Sequence, residues 1–336
     1  MRSGIILFIL ALATAALFPA GMLLGSVDLP AEVVFGALTG RGDIDEVARI
    51  IVVETRLPVV VTSCVAGLAL AVAGLLMQTA FANPLAGPSI MGISTGASLG
   101  VAVVLMAFPA MLGFWGRLAT IGSAFAGAMC VMGVLTLFSS LVKSSTVLLI
   151  VGILTGYLAS SAISLLNFFS TAESVHSYVL WGLGSFSGVS LGDLPLFCIL
   201  AIVPAALTSF YAKPLDALLL GERYASNVGV NVELTRTMLL VISGMLTATV
   251  TAWCGPVGFI GLAVPHIARM LPASKTHGFL LPATALCGAA TGLLCQIIST
   301  APALSRGVIP VNAITPLIGV PVIIYVLLHR KNLSYS

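Results

Sequence analysis

The sequence predicts an all-α integral membrane protein with about ten transmembrane helices, and three observations carry that prediction. Of its 336 residues, 59% are apolar and only 7% charged, with a mean hydropathy of +1.16. A soluble domain carries about a quarter charged residues, so this chain cannot coat a water-facing globule. The second observation is a set of unbroken apolar runs, such as 4–25, 57–81 and 118–138, long enough to cross a bilayer at about 20 residues per crossing. The third is that no ten-residue alternation of apolar and polar residues recurs, as a membrane β-barrel would require. The formal net charge of +3 leaves no polyanion footprint, so nucleic acid is not an expected partner.

The elements follow in order. The run 4–26 begins after Arg2 like a secretory leader, but it is too long for an ordinary leader core and no small-x-small cleavage site follows, so a retained first helix is expected. A polar outer loop carries Asp28 to Glu54. The span 57–81 ends in a turn cluster of Asn83, Pro84, Gly87 and Pro88, and a shorter span, 91–107, follows. Spans at 118–138, 147–169, 191–210 and 236–253 come next. A second break at Gly255, Pro256 and Gly258 precedes spans at 257–271, 277–299 and 311–328. With both termini inside, nine basic residues fall on the inner side and five on the outer, as the positive-inside rule asks. Two five-span halves, 1–170 and 171–336, would have opposite orientations and so form weakly similar inverted repeats. The whole of 1–336 reads as one membrane domain.

None of the eleven acidic residues lies mid-span, which counts against an ion-coupled carrier. Small residues at helical spacing (Gly92, Gly96, Gly100; Gly152, Gly156; Gly288, Gly292) predict close helix packing. With Ser94, Thr95 and Ser98 the first group could equally wall a path for a bulky solute. The six cysteines are single and form no metal-ligand spacing, and the four histidines make no His-Glu-x-x-His site, so neither a metal nor a catalytic cluster is expected. No Gly-Lys dipeptide occurs, so a Walker-type ATP site is not expected either.

The polar segment at about 213–235 lies between two spans on the inner side and reads as two short helices. Pro214 suits a first helical position, Gly221 a stop, and Gly229 a second stop. Leu215, Leu218 and Leu219 would share an apolar face. Such a segment either lies on lipid or docks a soluble partner.

Six ordered blocks resemble the permease subunits of ABC importers for iron-siderophores, haem and vitamin B12. They are RLP at 56–58, GLALAVAGLLMQTAFANPLAGPSIMGISTGA at 67–97, LWGLGSFSG at 180–188, LGERYASNVGV at 220–230, GPVGFIGLAVPHIAR at 255–269, and IPVNAITPLIGVPVIIYVLL at 309–328. The resemblance implies a homodimer enclosing one path through the bacterial cytoplasmic membrane, two separate ABC ATPase subunits holding ATP and Mg, and an extracytoplasmic binding protein. The chain itself would hold no cofactor and have no catalytic residue. The cargo implied is a large metal chelate, an iron-siderophore or haem, with vitamin B12 as the alternative.

The resemblance also implies residue roles. Leu220, Gly221, Glu222 and Gly229 would couple to the ATPase, while Arg56 would dock the binding protein. Val59 and Ala301 stand where further arginines can occur, and Arg306 would substitute. The second, fifth and tenth spans would approach the dimer axis, with Gln78, Asn83 and Pro84 by the path and Ser144, Ser145 and Thr146 at an inner gate.

Overall fold

A π-turn inside a 35-residue helix sets the geometry of the N-terminal half. The computed structural model describes residues 2–40, 44–108, 113–142, 144–301 and 307–328. Helix α1 (Arg2–Leu23) is followed on the outer side by α2 (Ala31–Thr39) and α3 (Glu46–Ile50). The latter continues without a break through a π-helical turn, Ile51–Arg56, into α4 (Leu57–Ala80). Pro58 has no N–H and its ring crowds the preceding turn. A widened turn just before it lets the helix continue. The outer loop expected between the first two spans is therefore largely helical. Pro30 opens α2, and Gly40, left-handed at φ +67°, closes it.

Then follow α5 (Ile93–Ala107), α6 (Gly113–Leu141), α7 (Ser145–Phe169), α8 (Ala172–Gly182), and α9 (Leu194–Leu207), which is extended by a 3₁₀ turn to Tyr211. Helices α10 (Ala212–Leu219) and α11 (Glu222–Asn227) form the inner segment. The chain closes with α12 (Val232–Cys254), α13 (Ile260–Met270), α14 (His277–Ser299) and α15 (Val311–Leu328). Every expected span is helical, and no strand occurs among the described residues. The span expected at 257–271 needs correcting. Its helix has eleven residues, roughly 16 Å at 1.5 Å per residue, about half the hydrocarbon thickness. Between the expected spans 147–169 and 191–210 the chain forms a further helix, α8. Thr171 caps it, its hydroxyl accepting from the Ser174 N–H at 3.4 Å.

The helices α4–α7 and α12–α15 repeat one packing scheme. Helix α4 packs on α13 and α14 just as α12 packs on α5 and α6, while α5 touches α6 and α7 as α13 touches α14 and α15. Each long first helix thus inserts into the opposite half, which is the interlock of inverted repeats. Most of α4 is buried, and its glycines set the spacing. A Cβ on Gly67 would meet the Gly288 carbonyl oxygen at 2.2 Å, and one on Gly74 the Gly261 carbonyl oxygen at 1.7 Å. Ser94 and Ser98 are buried, and Gly96 and Gly100 lie against α6, so the small-residue row on α5 packs closely. Helices α1, α7, α9 and α15 carry the exposed apolar side chains, Phe8, Leu158, Ile199 and Leu317 among them, as lipid- or partner-facing helices do.

Candidate coupling site

Two glycines in backbone conformations closed to other residues shape the inner segment. Leu215 and Leu218 of α10 are buried against the spans, which settles α10 as an anchored helix. Pro214 is its third residue, inside the first turn, and not its first as expected. Gly221 then turns the chain at φ +108°, ψ 151°, a region essentially reserved for glycine. Helix α11 ends at Gly229, φ +87°, where the Val230 N–H donates to the Ala225 carbonyl at 2.9 Å and the Gly229 N–H to that of Ser226 at 3.0 Å. No atom lies within 4 Å of a Cβ built on either glycine, so conformation alone requires them.

Around these turns Leu220 is 66% exposed, Val228 55% and Leu234 54%, with Tyr224 beside them. They make an apolar ridge on an otherwise polar hairpin. Glu222 does not project from that ridge as a free anion. It pairs with the buried Arg236 of α12, bracing α11 against the membrane helix that follows. Asn231 caps α12, its Oδ1 accepting from the Leu234 N–H at 3.0 Å.

Gln78, Asn83 and Pro84 lie together at the inner end of α4, where Gln78 and the Pro84 carbonyl bind α13. Gln78 is buried; its Nε2 donates to the Leu262 carbonyl at 3.1 Å and its Oε1 accepts from Arg269. Asn83 makes an Asx turn, its Oδ1 accepting from the Leu85 N–H at 2.9 Å. The Pro84 carbonyl accepts from His266 Nε2 at 2.9 Å, which fixes the proton on that nitrogen. Ser144 caps α7, its hydroxyl accepting from the Val147 N–H at 3.4 Å, and Thr146 is exposed in the first turn. The side chain of Ser145 lies outside the described residues, as does Arg306.

Arg56 has a structural role within the chain. It is 7% exposed, and its Nη1 donates to the carbonyls of Met22 at 2.8 Å and Leu23 at 3.1 Å, while Nη2 donates to that of Val27. These are acceptors in the last turn of α1 and just past it, where a cation also suits the helix dipole. The guanidinium thus closes α1 onto the π-turn.

The sequence profile of the FecCD transport family matches residues 9–329. The chain belongs to the FecCD transport family. Similar proteins include the vitamin B12 import system permease protein BtuC of Citrobacter koseri, 33% identical over 280 residues that cover 83% of each chain. Its counterpart in Klebsiella pneumoniae is 34% identical, over 83% of this chain and 82% of that one. A solved structure described as an inward-facing, metal-chelate type ABC transporter superposes with a TM-score of 0.83 at 29% identity, covering 97% of this chain and 99% of the other. At 16% identity, PsaBC from Streptococcus pneumoniae shares the fold with a TM-score of 0.54, over 89% of this chain and 99% of that one. This FecCD-family chain is accordingly a multi-pass permease of the ABC importer type, in the cytoplasmic membrane.

Sequence reasoning about this FecCD-family member missed Asn312 of α15. Its Nδ2 donates to the carbonyls of Gly182, at 3.1 Å, and Pro256, and its Oδ1 accepts from the Gly258 N–H at 3.2 Å. Its own N–H donates to the Leu183 carbonyl at 3.2 Å. One side chain thus satisfies backbone groups freed at two helix breaks, and three of the six sequence blocks meet there. A polar residue opening an apolar span beside broken helices was the available signal. Among the described residues, no group of three His, Cys, Asp or Glu side chains could hold a metal ion.

Proposed function

We propose that this permease carries a large metal chelate inward, as a homodimer driven by two ABC ATPase subunits and fed by an extracytoplasmic binding protein. The observation that carries the reading is the exposed ridge of Leu220, Tyr224, Val228 and Leu234 on the inner side, held in shape by Gly221 and Gly229. A lipid-lying helix would bury its apolar face in the interface. Here the apolar face of α10 is already buried against the protein, and the remaining ridge sits on turns, shaped to enter a cleft. The chain would bring no ATP site of its own, leaving ATP and Mg to the partner.

The cargo class is supported by the exposed face of α7, which would line a route between two copies of the chain. On α7, the fifth membrane span, Ser160, Ser161 and Ser164 are exposed beside Tyr157 and Phe168. Hydroxyls among apolar groups pass a bulky chelate without gripping it. Ser144 and Thr146 would sit at the inner mouth of that route. An iron-siderophore or haem fits it. The similarity to vitamin B12 import permeases favours a corrinoid as the second reading. The test is competition for ATP-dependent uptake among labelled ferric siderophore, haem and cyanocobalamin in proteoliposomes. Transport of one of the three fixes the cargo, and transport of none removes the metal-chelate class.

A further inference from the structure

The coupling segment reaches the inner end of α4 through a chain of side chains that no motif marks, half-buried at Asp216 and buried at His277 and Thr79. Helix α14 begins at His277, and the hydroxyl of the preceding residue, Thr276, caps none of its N–H groups. The cap comes from another element. Asp216, one helical turn before Leu220 on α10, accepts at Oδ1 from the His277 backbone N–H at 2.7 Å and from its Nδ1 at 2.7 Å. The ring continues the chain, with Nε2 3.0 Å from the Thr79 hydroxyl on the last turn of α4. With Nδ1 donating to the carboxylate, Nε2 of the neutral ring accepts from that hydroxyl. His277 is fully buried and Thr79 nearly so. Beside Thr79, Gln78 binds Arg269 and Leu262 of α13.

We propose that Asp216, His277 and Thr79 are positioning residues that carry displacement of the inner ridge to α4. The inference rests on the coupling role proposed above. Three physical reasons favour a link over a local brace. Asp216 supplies a cap that the sequence of α14 leaves undone, so α14 cannot part from α10 without stranding a buried donor. A carboxylate at the N-terminus of a 23-residue helix is held by its dipole as well. The imidazole is rigid and enclosed, so movement at one nitrogen is delivered at the other, where an exposed flexible pair would absorb it. Helices α10, α14 and α4 are in mutual contact around it.

Amide hydrogen exchange of the assembled permease and its ATPase in lipid nanodiscs, with and without ADP–vanadate, tests this without knowledge of the cargo. In the wild type, nucleotide should change exchange both at 220–229, where the ATPase docks, and at 76–86, the inner end of α4. Asp216→Ala and Thr79→Val should keep the first response and reduce the second by about five-fold or more, the lower range of measured site couplings. Asp216→Asn, which retains the Oδ1 acceptor, should restore it. Thr79→Val removes one hydrogen bond at constant shape and carries the test if Asp216→Ala does not assemble. An undiminished response at 76–86 in the variants overturns the linkage even if their thermal stability falls. Loss of the wild-type response at 220–229 would instead remove the coupling role, and the linkage with it.

Discussion

Asn312 and Gly221 show how single residues hold the two faces of this permease by different means. Replacing Asn312 with Ala orphans the Gly182 and Pro256 carbonyls and the Gly258 N–H. Each such group costs about 1–3 kcal/mol when buried. Thermal unfolding of Asn312→Ala in detergent should show a loss on the order of 3 kcal/mol; a loss too small to measure would mean that water replaces all three bonds. Gly221 acts through conformation alone. Gly221→Ala meets no neighbour but carries about 1–3 kcal/mol of backbone strain, which bending of the ridge relieves. Its unfolding temperature should stay near wild type while ATP-driven uptake falls severalfold. Equal uptake by the two proteins would remove the turn from the coupling role. Gly221 and Gly229 were legible in the sequence because a stop between two short helical patterns names its own residue. Asn312, Asp216 and His277 were not, because their partners lie 54 or more residues away in the chain and no local pattern records such a pairing.

At the scale of elements, the apolar runs predict the helices well and their ends less well. The second run, 57–81, matches α4 because burial and length agree. The α3–π-turn–α4 continuity was hidden because the charges of 46–56 read as loop, yet they ride a helix projecting past the membrane. For Arg56, likewise, sequence gives the charge but not the carbonyls it meets. That difference is measurable. Arg56→Ala should destabilise the protein by about 2–3 kcal/mol through the uncapped end of α1, with little change in affinity for the binding protein. Loss of binding-protein affinity at unchanged stability would place Arg56 on the docking surface. Helix α13 illustrates the complementary case. Gly255 to Gly258 announced a break, but only the structure shows that the helix beyond it is about half a membrane thick, with its inner end tied to Gln78 and Pro84 by Arg269 and His266.

Across the whole molecule, the interlocked repeats give the permease two faces tied by different devices. Two helix breaks meet at Asn312 on the outer side; on the inner side α4, α13 and α14 meet beside the coupling segment. Two residues other than glycine adopt positive φ, Ala82 at +45° and Phe259 at +64°, among those described. Each stands between the first and second helices of one repeat. Such strain persists only where the surroundings impose it, and it recurs at matching breaks of the two repeats. Nucleotide bound elsewhere can bias the permease only if it favours one arrangement of the repeats over the other.

The most direct test of this account is uptake of labelled chelate into proteoliposomes holding the permease with its cognate ATPase and binding protein, with and without ATP on the ATPase side. Uptake should require ATP and all three components, and the permease alone should hydrolyse none. Uptake driven by an ion gradient without nucleotide would contradict the account.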